Sequence, residues 1–275
     1  MFERSWEQAY SDLLFWQWEG LPSEPSIKSS VGFMEKALQL EKGARVLDLG
    51  CALGYHSIEL ARRGYEVTGL DWSEAFLEVA RQKAREDEVS VNFVRGDMTR
   101  LEFAGEFDAV ILWGNTFGAF SDEENFHTLA GLQQALKNGG KALIDTQNYL
   151  TLPKALQRGW IFRGEDERLL FLTEDTKDEL QGRFGFNVIA IDLTSGKRHE
   201  MRFSWRLYLL SELKQLLQAA GLTLLSIYGD DPEVVDWEGY ESGAPYPYAV
   251  EGFTPNAAKR ILLCRKGKEL TAKSQ

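Results

Sequence analysis

Cysteine and histidine are scarce in this chain. There are two cysteines among 275 residues, Cys51 and Cys264, far apart in sequence. Two thiols build no disulfide framework, so the reading is a reduced, cytoplasmic protein. The three histidines, His56, His127 and His199, show no ligand spacing, which argues against a zinc site. No apolar run approaches the ~20 residues that span a bilayer. The first residues carry Glu3, Glu7 and Asp12 without a basic stretch ahead of an apolar one, so no secretory leader is expected. Positive charge is also in deficit. With 31 Lys and Arg against 42 Asp and Glu, the formal net charge is −11, a sign that repels polyanions and disfavours general nucleic-acid binding. Internal repeats, low-complexity tracts and coiled-coil heptads are absent.

What is present begins at Val46-Leu47-Asp48-Leu49-Gly50-Cys51-Ala52-Leu53-Gly54. A buried strand, a tight glycine turn and a helix start are written there. Glycine lets backbone approach a ligand where a Cβ would collide, and the turn aims free helix N–H groups at that ligand. Dinucleotide folds need G-x-G-x-x-G. Counted from Gly50, the two later glycine positions hold Ala52 and Tyr55 instead, so a nicotinamide oxidoreductase is the weakest reading.

Further strands follow in order. Tyr65–Asp71 ends in an acid 17 positions beyond Gly54. Helix 73–86, strand 91–94 and Arg95-Gly96-Asp97-Met98 come next. Phe107–Trp113 runs into Gly114-Asn115-Thr116-Phe117-Gly118, and helix 122–137 closes on Asn138-Gly139-Gly140 before strand Lys141–Thr146. This alternation predicts a parallel sheet with helices on both faces. The pattern Asp48-x-Gly50-x-x-x-Gly54 resembles motif I of the class I S-adenosylmethionine-dependent methyltransferases, with Ala52 departing from the usual middle glycine. The order and spacing of strand ends are similar to that family from residue 40 to about 148. The segments 62–73 and 95–98 look like its small-molecule branch, which includes amino-sugar and glycine N-methyltransferases.

The resemblance implies an α/β fold, a Rossmann-like seven-stranded, mostly parallel sheet whose seventh strand inserts antiparallel between the fifth and sixth. It implies S-adenosyl-L-methionine as cofactor and no metal. Asp48 would bond the methionine amine, and Gly50 and Gly54 would allow close approach of the turn. Asp71 would hold the ribose hydroxyls and Trp72 lie against adenine. Asp97 would meet the adenine amino group, Met98 would offer backbone N–H and an apolar edge, and Trp113 would line the pocket near the methyl. On the acceptor side Asn115, Thr116 and Phe117 follow the fourth strand. His56 is a candidate general base, weighed against packing or capping a helix start. Tyr10, Arg163, Trp205, Arg206 and Tyr208 are further candidates, each with a structural alternative. The three catalytic candidates are thus His56, Asn115 and Tyr208.

Three additions surround the core. Residues 1–30 read as a helical lid and linker, with Leu21–Ser30 holding Pro22 and Pro25 and a helix expected at 31–39. The core comprises 31–148 and 207–275, with a helix after Ser211, a strand at 222–228 and another at 261–265. Residues 149–206 read as a small antiparallel β insert with strands at 168–173, 183–193 and 197–205, roofing the substrate site or forming a dimer surface. Loop 229–256 gathers seven acids and five aromatics, suited to an amine-bearing molecule or simply solvated. The expected activity is methyl transfer to a small molecule, nitrogen ahead of oxygen, by a monomer or homodimer. A nucleic-acid methyltransferase and a non-catalytic S-adenosylmethionine-binding protein are the alternatives.

Overall fold

A computed structural model describes residues 20–148, 157–163, 167–229 and 259–267. Of the lid and linker read over 1–30, residues 1–19 with Tyr10 lie outside the described residues, as does the loop read over 229–256 apart from Gly229.

The chain enters through helix α1 (Glu24–Leu38). This corrects the linker expected over 21–30. Ser23 caps the helix by accepting from the Ser26 N–H, and Pro25 sits in the first turn, where no intrahelical N–H bond is lost. Then follow β1 (Arg45–Leu49), α2 (Tyr55–Arg62), β2 (Glu66–Asp71), α3 (Glu74–Glu86), β3 (Asn92–Arg95), a single 3₁₀ turn (Met98–Arg100) and β4 (Phe107–Leu112). Helix α4 (Asp122–Ala135) carries a full Ser121/Glu124 capping box and runs straight into β5 (Leu136–Gln147). The strand thus begins before the glycines, not after them. The β4–β5 register jumps from Phe107 opposite Leu136 to Ala109 opposite Lys141, and the intervening glycines absorb the irregularity. After the insert come α5 (Leu210–Ala219), β10 (Leu222–Gly229) and β11 (Lys259–Lys266).

Seven strands form one sheet in the order β10-β11-β5-β4-β1-β2-β3. The pairs β1–β2, β1–β4, β2–β3 and β4–β5 are parallel, whereas β11 is antiparallel to both β5 and β10. Alternate residues of the central strands feed two cores. Val110, Leu112 and Ile144 pack under α4 and α5, while Ile111, Leu143 and Val46 pack under α1 and α2. Burial on both faces explains the unbroken apolar runs, each fully buried side chain contributing about 1.5–3 kcal/mol.

The insert is a separate four-stranded antiparallel sheet, β6-β7-β8-β9. Its strands are β6 (Arg158–Arg163), β7 (Leu169–Asp178), β8 (Arg183–Asp192) and β9 (Arg198–Arg206). Strand β6 was not foreseen. Its large apolar residues, Trp160 and Phe162, point to solvent, so the usual mark of an inward apolar face is missing.

Candidate functional site

The chain leaves β1 and turns away from its neighbour β4, so the crevice between their carboxyl ends is the topological switch point where open α/β sheets bind ligands. Gly50, Ala52 and Gly54 all take positive φ, at 70°, 49° and 76°. The Gly50 and Cys51 amides both donate to the Leu70 carbonyl, at 2.8 and 3.0 Å, tying the turn to the end of β2. Ala52 holds a left-handed conformation that costs an L-residue roughly 1–2 kcal/mol. Its amide donates to Asp71 Oδ2 at 2.9 Å, a bond to a charged group that offsets about that cost. This is how alanine replaces the middle glycine.

The two glycines serve different ends. A Cβ on Gly50 would stand 3.0 Å from Met98 Cε and 3.1 Å from Thr116 Cγ2, so the turn, the Asp97–Met98 segment and the loop after β4 meet at this point. A Cβ on Gly54 would stand 2.8 Å from Ala80 Cβ and Phe93 Cζ. Gly54 is therefore required for seating α2 against α3 and β3, a packing role beyond the ligand approach expected of it. Gly54 also leaves the N-terminus of α2 without a side-chain cap, so its leading amides are not claimed by a cap.

Asp48 and Asp71 are both buried at the strand ends. Ser57 donates to Asp48 Oδ2 at 2.6 Å. Burial, reinforced by the nearby Asp71 charge, pushes the Asp48 carboxyl up to about 7, against the pull of the Ser57 bond. Asp71 Oδ1 accepts from the Ser73 amide at 2.9 Å. Burial raises Asp71 to about 6, opposed by its backbone donors. Among the described residues neither carboxylate forms an ion pair. Buried carboxylates without a cation are costly, and a ligand bearing an ammonium and hydroxyls supplies the missing partners. The site therefore fits S-adenosylmethionine by the chemistry of its donors and acceptors.

The remaining sequence-derived residues are placed as follows. Asp97 caps the 3₁₀ turn, its Oδ1 accepting from the Thr99 amide and hydroxyl at 2.9 and 2.7 Å. Met98 is buried beside Gly50. The Arg95 guanidinium lies 5.6 Å from the centre of the Trp72 ring. Trp113 is buried in the core under α1, with the Phe33 ring at 6.2 Å and the His56 ring at 6.4 Å. His56 Nε2 is 2.9 Å from Ser30 Oγ, joining α2 to α1, which accounts for the residue through packing. The Tyr208 hydroxyl donates to Asp122 Oδ1 at 2.7 Å and accepts from Asn125 at 3.0 Å. Its ring stacks on Phe117, and burial holds its hydroxyl well above the usual phenol range. Both hydroxyl bonds anchor the start of α4, a structural task. Arg206 likewise pairs with Asp122 and Glu212. Trp205 stacks on Phe203 of the insert.

Two residues that shape the loop after β4 escaped the sequence reading. Asp145, fully buried on β5, accepts at Oδ2 from the Gly114 and Asn115 amides at 3.1 and 3.3 Å. It holds both residues at positive φ, 79° and 59°. An acid inside the apolar run Lys141–Thr146 was the available signal. Arg183, at the start of β8, reaches the Phe120, Ala119 and Gly118 carbonyls at 2.9, 3.2 and 3.4 Å, and the Ser204 carbonyl at 2.9 Å. With the Arg206 amide on the Gly118 carbonyl at 2.7 Å, it fastens the insert to the loop after β4.

Residues 46–140 match the family model described as a methyltransferase domain. The chain is 32% identical to the cypemycin N-terminal methyltransferase of Streptomyces sp over 215 residues, covering 74% of this chain and 78% of that protein. The chain belongs to the S-adenosylmethionine-dependent methyltransferases. It is also 34% identical to a glycine/sarcosine N-methyltransferase of Aphanothece halophytica over 137 residues, 48% of this chain and 52% of that one. The CcbJ methyltransferase of Streptomyces caelestis shares the fold of this methyltransferase at a TM-score of 0.74 and 20% identity, over 95% of this chain and 99% of the other. Among the described residues, no helix of the methyltransferase is long and apolar enough to cross a membrane, and no cluster of His, Cys, Asp and Glu stands ready for a metal.

Proposed function

We propose that this enzyme methylates the nitrogen of a small amine-bearing molecule in the cytoplasm. The observation that carries the reading is Asn115, beside the switch point. Its Oδ1 is buried with no hydrogen-bond partner among the described residues, and its backbone is held left-handed by Asp145. An unpartnered buried acceptor costs about 1–3 kcal/mol, and strained, unsatisfied groups of this kind persist where a ligand completes them. An amine N–H is such a donor. The net charge of −11 suits a cationic substrate, and the glycine/sarcosine N-methyltransferase cited above is named for nitrogen.

S-adenosylmethionine supplies an electrophilic methyl on a sulfonium. The residues bind and align. Asp48 would take the methionine ammonium, Asp71 the ribose hydroxyls, and Gly50 and Gly54 would let the turn approach. Asp97, Met98 and Trp72 would hold the adenine end, and Trp113 would back the wall on the methyl side. The insert at 149–206 roofs the acceptor through its Arg183 fastening. Alignment at near-attack distance provides most of the acceleration, and a neutral amine attacks without a general base. The test offers tritium-labelled S-adenosylmethionine with glycine, sarcosine, glucosamine and a glycine-terminated peptide, each against its hydroxyl counterpart. Label in the amines is the expected result. Label confined to hydroxyl compounds would refute the nitrogen assignment.

A further inference from the structure

The inner face of the insert holds a carboxylate among aromatic rings. Alternate residues of β7, β8 and β9 share this face with the buried Phe171, Val188 and Met201. Asp175 stands opposite Phe186, and Phe186 opposite Phe203. The next row on the same face sets Phe184 opposite Trp205. The rings form one cluster. Phe186 meets Phe184 edge-on at 5.4 Å and Trp205 edge-on at 6.0 Å, while Phe203 stacks on Trp205 at 6.3 Å.

Two polar groups in this cluster lack what burial demands. Asp175 is only 9% exposed. Its Oδ2 accepts from the Gln157 amide at 3.1 Å, and among the described residues no Lys, Arg or His pairs with it. The Trp205 indole N–H is buried with no hydrogen-bond partner among the described residues. A buried carboxylate without a cation is costly, and an apolar residue at 175 would complete the ring cluster without that cost. A positively charged nitrogen gains both from ring faces and from a carboxylate. A hydroxyl on the same molecule accepts from the indole N–H. This end of the insert is also the one fastened to the loop after β4. Arg206, next to Trp205, donates from its amide to the Gly118 carbonyl, and Trp205 packs against the core that holds Phe117.

We propose that Asp175, Phe186, Phe203 and Trp205 form a recognition subsite for the cationic form of the acceptor, a small amino alcohol or a molecule of that chemistry. The inference rests on the reading above, that the insert roofs an amine-bearing acceptor, and names the side chains that select it. Ring faces make no directional demand for an N–H, so the subsite holds a nitrogen whether or not it carries methyl groups. It takes no part in the methyl transfer itself.

A ligand-observed NMR titration of the full chain, saturated with S-adenosylhomocysteine, tests this. The probes are choline and its carbon isostere dimethylbutanol, the same shape without the charge. Choline should bind about tenfold tighter than the isostere. Asp175→Asn keeps an acceptor for the Gln157 amide and removes the charge. It should erase that preference by weakening choline alone, with S-adenosylhomocysteine binding retained as the check on folding. Phe186→Leu removes a ring face and should reduce the preference about threefold, which serves if the first variant does not fold. Glu174→Gln, one position earlier on the outer face, should bind both probes as the unaltered chain does. An unaltered chain without a preference for choline overturns the proposal. So does a folded Asp175 or Phe186 variant that keeps the preference, or a Glu174 variant that loses it. Binding is read without turnover, so the nitrogen assignment and the subsite fail separately. Label confined to hydroxyl acceptors, with the choline preference still lost in Asp175→Asn, leaves the subsite standing.

Discussion

Lowering the pH should weaken cofactor binding through Asp48. In the empty site its carboxyl titrates at about 7, well above the ordinary 3.8, because burial disfavours the charged form. Pairing with the methionine ammonium requires the carboxylate. Below pH 7 binding must therefore expel a proton, and affinity falls toward tenfold per pH unit. From Asp48 alone the loss between pH 7.5 and pH 5.5 comes to roughly 25-fold, and Asp71, titrating at about 6, adds about fourfold. Linkage to folding of the empty enzyme runs in the opposite direction. Both groups hold a proton in the folded chain that the unfolded chain releases near pH 4. The empty enzyme thus loses stability as pH rises from about 4 to about 7. Titration calorimetry with S-adenosylhomocysteine, in buffers of different ionisation enthalpy, measures both affinity and protons released. Asp48→Asn should bind more weakly at pH 7.5 and retain only the shallower slope of Asp71. Affinity that stays flat from pH 7.5 to 5.5, or binding without proton release at pH 6, would refute the reasoning.

Two further outcomes concern stability and the roof. Gly54→Ala places a Cβ 2.8 Å from both Ala80 and Phe93 at a φ of 76°, so thermal unfolding should show a loss of about 2–4 kcal/mol. Arg183→Met leaves the Gly118, Ala119, Phe120 and Ser204 carbonyls without their shared donor. Hydrogen exchange should then quicken in β8, β9 and residues 114–120 by at least tenfold, while β1 and β2 stay protected. Uniform exchange across the chain would mean that Arg183 does not fasten the insert.

Much of the main domain was legible because its signals are local. Asp48, Gly50, Asp71 and Asp97 stand at ends of strands whose apolar runs announce themselves, and each motif lies within a few residues of its strand. The antiparallel seventh strand came from family resemblance, since nothing in residues 259–266 states which neighbours they choose. Boundaries failed where a local rule was outvoted. Pro22 and Pro25 read as a linker, yet Ser23 can cap and Pro25 can occupy a first helical turn. Only the tertiary structure decided the rest, because the partners are remote in sequence. Asp145 shapes Gly114 and Asn115 from 31 and 30 residues away, and Arg183 reaches Phe120 across 63. Gly54 answers to Ala80 and Phe93, and Ala52 adopts its turn because Asp71 accepts its amide from the next strand. Periodicity reports which residues seek burial. It does not report which distant polar group meets a given backbone, and hydrogen-bond geometry, specified only in the folded chain, settles that.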